Sequence, residues 1–110
     1  MEHVEGGVTA AKGFTANGVC AGIKPGRTKP DLALIFSELP CAAAGIYTQN
    51  IVKAEPVKLT RSRIEVGTAQ AVIVNSGNAN ACTGEQGREN ALRMTRTAAE
   101  ELSLPESSVL

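Results

Sequence analysis

At 110 residues, with 43% hydrophobic and 20% charged residues, the chain is one globular domain at most. The 11 Lys and Arg balance the 11 Asp and Glu, so no electrostatic footprint marks a nucleic-acid or membrane partner. Cys20, Cys41 and Cys82 have no CxxC spacing and His3 is the single histidine, which argues against both a disulfide scaffold and a zinc site.

The opening Met1-Glu2-His3-Val4-Glu5 is acidic and leads into no apolar segment of the secretory type. No run approaches the roughly 18 apolar residues of a spanning helix. A cytoplasmic protein is expected. Phe14, Phe36 and Tyr47 are the only aromatics, so Ala, Val, Ile and Leu must fill the interior. Small side chains bury little area at about 25 cal/mol per Å², and further polypeptide is expected to complete the core. Each Cys stands among Ala or Gly, as a small buried apolar residue would.

In chain order, the first predicted strand covers residues 18–24, followed by a turn at Pro25-Gly26-Arg27. The near-continuous apolar run at 31–37 reads as a central strand. Pro40 breaks it, and residues 43–48 form the next strand, with the short spacing favouring an antiparallel hairpin. A short helix is predicted from Pro56 to about Ile64, ended by Gly67, with Lys58, Arg61 and Arg63 on a solvated face. Residues 70–75 form another strand. The strongest helix runs from Glu85 or Gly87 to Leu102, with Ala91, Leu92, Thr95, Ala98, Ala99 and Leu102 on one apolar face. Thr83 is the expected N-cap, with Gln86 as its capping-box partner. These elements predict an α/β domain with a mixed sheet, both faces covered, and the 31–37 strand at its centre.

Between the last strand and the last helix lies the most informative stretch, Asn75-Ser76-Gly77-Asn78-Ala79-Asn80-Ala81-Cys82-Thr83-Gly84. Gly and Asn tolerate positive φ better than other residues, so such a loop winds tightly and aims amides at one point. Ligands of α/β proteins gather in loops at the carboxyl ends of strands. Asn75, Ser76, Gly77, Asn78 and Asn80 are therefore candidates for substrate binding or active-site support. The competing reading is that these amides fasten the loop's own backbone. Lys12 and Lys53 are further candidates for a carboxylate, or plain surface lysines. Cys82 adjoins the loop but has no His to activate it.

The order of motifs adds to this. Gly6-Gly7-Val8-Thr9-Ala10-Ala11-Lys12-Gly13-Phe14 is followed by Gly18-Val19-Cys20-Ala21-Gly22-Ile23-Lys24, Ala44-Gly45-Ile46-Tyr47-Thr48-Gln49-Asn50 and the Asn-rich loop. From Gly6 to about Leu102 the series resembles the amino-terminal part of the α chain of the ornithine acetyltransferase family, also called glutamate N-acetyltransferase. The resemblance implies the self-cleaving amino-terminal-nucleophile acetyltransferase fold and a role in arginine biosynthesis. It implies a precursor cut between Ala and Thr into α and β chains, which remain together as a hetero-oligomer. The new amino-terminal Thr of the β chain takes acetyl from N-acetylornithine and passes it to glutamate, without a cofactor; some members also use acetyl-CoA. No Thr of this sequence has that cleavage context, and the family's Ser-Thr-Gly oxyanion segment is expected just past Leu110. Residues 1–110 are thus expected to be a partial domain, inactive alone, with no catalytic residue of their own. A self-cleaving aminopeptidase of the same fold group, or a non-catalytic module cradling an anion at the last helix's start, are the alternatives.

Overall fold

The computed structural model describes residues 3–110, so the first two residues of the acidic opening lie outside it. Strand β1 (Phe14–Val19) and strand β2 (Leu32–Ala42) are followed by helix α1 (Glu55–Ile64), strand β3 (Thr68–Asn75) and helix α2 (Gly84–Leu102). Single 3-10 turns occur at Val8–Ala10 and Glu106–Ser108. The sheet order is β1-β2-β3, with both pairings antiparallel and β2 in the centre as expected. Val109 adds a parallel bridge to Ala71 on the free side of β3, and this makes the sheet mixed.

Three strand expectations need correction. The first strand starts at Phe14 and stops at Val19, so only Gly18 and Val19 of the expected 18–24 strand belong to it. Residues 20–24 instead curl around the buried Asp31 carboxylate, which accepts the N–H groups of Ala21 (2.7 Å) and Lys24 (2.9 Å). Second, β2 continues past Pro40 to Ala42. Proline cannot donate to a ladder, and the pairing with β3 shifts register between Phe36 and Cys41 instead of ending. The Ser37 hydroxyl closes this irregular stretch by donating to Leu39 O at 2.7 Å. Third, residues 43–48 form no strand and no hairpin, and Ile46 is fully exposed.

Alternation along the strands puts Leu34, Phe36, Ala71 and Ile73 on one face. Helix α2 covers this face. Ala71, Ala98, Ala99 and Val109 are buried together, with Leu34, Phe36, Ile73, Leu102 and Leu104 packed around them. Leu92 and Leu102 are half-buried, consistent with the predicted apolar stripe. The expectation that both faces are covered fails. Among the described residues no helix lies over the face of Ile35, Val72 and Val74, and Val74 is 47% exposed. Helix α1 packs against α2 instead.

α1 spans the expected residues because Pro56 sits in the first turn, Glu55 complements the positive end, and Arg61 and Arg63 complement the negative end. Gly67 ends it by donating to Ile64 O at 2.8 Å. Lys58 is solvated and pairs with Glu55, but Arg63 is not on a solvated face: its side chain is only 9% exposed. Cys41 is half-buried, while Cys20 and Cys82 are exposed, against the expectation of buried thiols. No helix among the described residues is long and apolar enough to cross a membrane.

Candidate functional site

The loop that follows β3 is tied to three neighbouring elements by its own polar groups. Asn75, still paired with Leu32 in the ladder, donates its Nδ2 to Asn78 O at 3.0 Å. Asn78 Oδ1 accepts the N–H of Asn80, also at 3.0 Å. Asn80 has φ 47, a left-handed conformation that Asn tolerates. Its Nδ2 donates to Gly87 O in α2 (2.8 Å), its Oδ1 accepts the Thr83 hydroxyl (2.6 Å), and its carbonyl accepts the Glu55 N–H at the start of α1 (3.0 Å). The structure therefore brings Asn75, Asn78 and Asn80 together, chiefly as fasteners of loop backbone. These three, with Ile23, Pro56, Asn90, Ala91 and Met94, line a small cavity of about 170 Å³.

The capping box is not formed. Thr83 does occupy the N-cap position, but its hydroxyl turns to Asn80, and Gln86 donates to Asn90 at 3.2 Å. The close approach of Asn80 and Thr83 is possible because position 87 is glycine: a Cβ there would overlap Thr83 Oγ1 and Asn80 Oδ1. Glu85 in the first turn of α2 opposes an anion at that helix start, which disfavours the anion-cradle alternative.

Ser76 and Gly77 are fixed from the other side. Ser76 N–H donates to Asp31 O at 2.8 Å, and its hydroxyl accepts from Lys24 Nζ at 2.5 Å. The Lys24 stem lies along Gly77, whose φ is 123; a Cβ there would come within 2.7 Å of Lys24 Cγ. Sequence reasoning misses Lys24 and Asp31 as site residues. The only signal was that Lys24 closes one of the quoted motifs, and nothing local couples it to Ser76, 52 residues on. The Asp31 carboxyl is held below its ordinary value of 3.8, first by the Lys24 N–H and then by the N–H of Ala21, against the opposing effect of burial. Lys12 and Lys53, the other candidate cations, make no hydrogen bond to the loop. Cys82 is exposed at φ 58 and has no histidine in a hydrogen bond with it.

The model of the ArgJ family matches residues 15–110. The arginine biosynthesis bifunctional protein ArgJ of Symbiobacterium thermophilum is 61% identical over 105 residues, covering 94% of this chain and 26% of that protein. The protein of the same name from Gloeobacter violaceus is 52% identical over 111 residues, covering 100% of this chain and 27% of the relative. The chain thus spans about a quarter of the length of the curated relatives it matches. Two crystal structures share the fold at a TM-score of 0.90. They are ArgJ from Bacillus halodurans (48% identity, 94% of this chain, 54% of that one) and ornithine acetyltransferase complexed with ornithine from Mycobacterium tuberculosis (46%, 94% and 56%). With the family model matching most of the chain and both structures reproducing its fold, the chain belongs to the ArgJ family.

Proposed function

We propose that this chain is the amino-terminal portion of the α chain of an acyltransferase of arginine biosynthesis, which moves acetyl from N-acetylornithine to glutamate. The nucleophile is an amino-terminal Thr on a β chain of the same precursor. Its hydroxyl oxygen attacks the acetyl carbonyl, the amide C–N bond breaks, and ornithine leaves with the proton that the hydroxyl lost. The glutamate amine then attacks the acetyl ester, the ester C–O bond breaks, and the Thr oxygen regains a proton. Acetyl-CoA serves as a second acetyl donor, no cofactor is required, and the enzyme works in the cytoplasm.

One observation carries this reading: the family match runs through a loop whose Asn75, Ser76, Gly77, Asn78 and Asn80 are locked at the carboxyl end of β3. Such a loop is preorganised. It holds the Asn78 side-chain NH₂ and the loop's backbone dipoles in place beside an acyl centre at no reorganisation cost during reaction, with Asn75 and Asn80 as the fasteners. The chain's own part in the chemistry is to shape and hold that floor. The binding of ornithine by the Mycobacterium tuberculosis relative supports the substrate class.

The test is transfer of labelled acetyl from N-acetylornithine by the complete ArgJ protein carrying this sequence, with and without glutamate. Formation of N-acetylglutamate is expected, and none from residues 1–110 alone, since accelerations of ~10⁶-fold or more rest on the nucleophile. Acetate release that is indifferent to glutamate would point to the amidohydrolase alternative. Turnover by the isolated chain would refute the assignment of the nucleophile elsewhere.

A further inference from the structure

The chain from Pro105 to Leu110 is held in place from both helices at one side chain. Glu106 accepts Arg63 Nη2 of α1 on Oε1 (2.6 Å) and Arg96 Nε of α2 on Oε2 (3.3 Å). The other arm of the Arg63 fork donates to Val109 O at 2.6 Å. Val109 is fully buried, and its own N–H returns to Glu106 O at 3.2 Å. Leu110 pairs with β3 through both backbone groups: its N–H donates to Ala71 O and its carbonyl accepts the Ile73 N–H, each at 2.9 Å.

Backbone groups alternate along a strand, so with Leu110 facing β3 the Val109 carbonyl faces the opposite, outer side. Arg63 occupies that outer position. A bidentate guanidinium is planar and defines a direction as well as an attraction. An exposed ion pair adds little stability by itself, but Arg63 is almost wholly buried and divides its fork between the Glu106 carboxylate and the strand backbone. The bridge between Ala71 and Val109 is parallel, so Val109 and Leu110 run alongside β3 in the direction of Asn75 and the loop.

We propose that Arg63, Glu106 and Arg96 are positioning residues for the acyl transfer: together they fix Val109 and Leu110 along β3, and so set the position of the strand end that carries the residue 75–80 loop. This rests on the proposed function, in which that loop adjoins the acyl centre. The three side chains touch no substrate and act through the strand. Displacing one partner of a reacting pair by about 1 Å costs on the order of 10²-fold in rate, so a loosened strand shows in kcat before it shows in binding.

The experiment uses the complete ArgJ protein carrying this sequence, with Arg63→Lys and Glu106→Gln as separate variants. Glu106, a partly exposed residue, serves as the second variant if Arg63→Lys fails to fold. Two readouts are taken: kcat and KM for N-acetylornithine, and hydrogen exchange at the Ile73 and Leu110 amides. The expected result is kcat reduced about tenfold or more with KM changed less than about threefold. Ile73 and Leu110 should exchange about tenfold faster, with the β2–β3 ladder amides unchanged. Unaltered exchange at Ile73 and Leu110 overturns the clamp whatever the activity. Faster exchange with unchanged kcat overturns its role in transfer, as does a loss of kcat matched by the fraction unfolded. Wild-type protein without transfer defeats the proposed function, and the exchange readout still decides the clamp.

Discussion

Gly87 lies inside a helix, where replacing glycine by alanine ordinarily stabilises by about 1 kcal/mol. Here the opposite is expected. A Cβ on residue 87 overlaps Thr83 Oγ1 and Asn80 Oδ1 and lies 2.6 Å from Thr83 Cβ. Relief requires both side chains to withdraw. That breaks the Thr83 to Asn80 bond and strains the bond from Asn80 Nδ2 to Gly87 O. Two such bonds contribute about 1 kcal/mol each, and overpacking adds about 1–3 kcal/mol. After the propensity gain, Gly87→Ala is expected to lose about 2 kcal/mol or more. Thermal unfolding reads this as roughly 4–8 °C per kcal/mol for a domain of this size. Repeating the substitution in an Asn80→Ala, Thr83→Ala background tests the cause, because contacting sites couple and distant ones add. A Gly87→Ala protein as stable as wild type, or a penalty unchanged in that background, would refute the argument.

Two further outcomes follow from the same neighbourhood. Asp31 has a lowered pKa in the folded chain, so its ionised form contributes stability above about 3.8 that is lost as pH falls through the folded value. Asp31→Asn should therefore lower the melting temperature at pH 7, where an amide NH₂ meets a backbone N–H, with the gap narrowing below pH 3.8; an equal gap at both pH values would argue against it. Under the proposed function, Asn78→Ala in the complete ArgJ protein should reduce acetyl transfer by ~10²-fold if Asn78 is a donor to the acyl centre, while Lys58→Ala should change little. If activity falls only in step with melting temperature, Asn78 serves as a loop fastener through its bond to Asn80.

How much the residues themselves announced depends on where the deciding partner sits. Helix α2 was legible because its apolar face repeats within the helix; Ala98, Ala99 and Leu102 of that face meet the sheet, while Ala91 and Leu92 lie beside α1. The 31–37 strand was legible for the same reason: a run of β-formers needs a central place. Strand β1 was misplaced because Ala16, Asn17 and Gly18 are poor strand residues held by their ladder with β2. The neighbouring 20–24 segment looks extended and is turned by Asp31, seven to ten residues further on. Residues 43–48 are apolar enough for a strand, yet Ile46 meets no partner among the described residues. The Asn and Gly positions of the residue 75–84 stretch announced a tightly wound loop, and positive φ at Gly77, Asn80, Cys82 and Gly84 with the Asn–Asn hydrogen bonds is what winds it. The lysine that braces it was hidden, because a cation reaching a serine 52 residues away leaves no spacing to read.

The buried layer between α2 and β3 consists of Ala71, Ala98 and Ala99 with the one larger residue Val109. Alanine has no rotamers to change, so this contact has no side-chain slack and works as a spacer of fixed thickness. The fully buried part of the gap between helix and sheet is filled by three methyl groups and Val109, and the helix carries Gly87, to which Asn80 is bonded. Enlarging any of these alanines would shift a rigid rod and not merely crowd a core. The register of helix against strand is thereby passed to the asparagine loop as a length, set where these alanines meet.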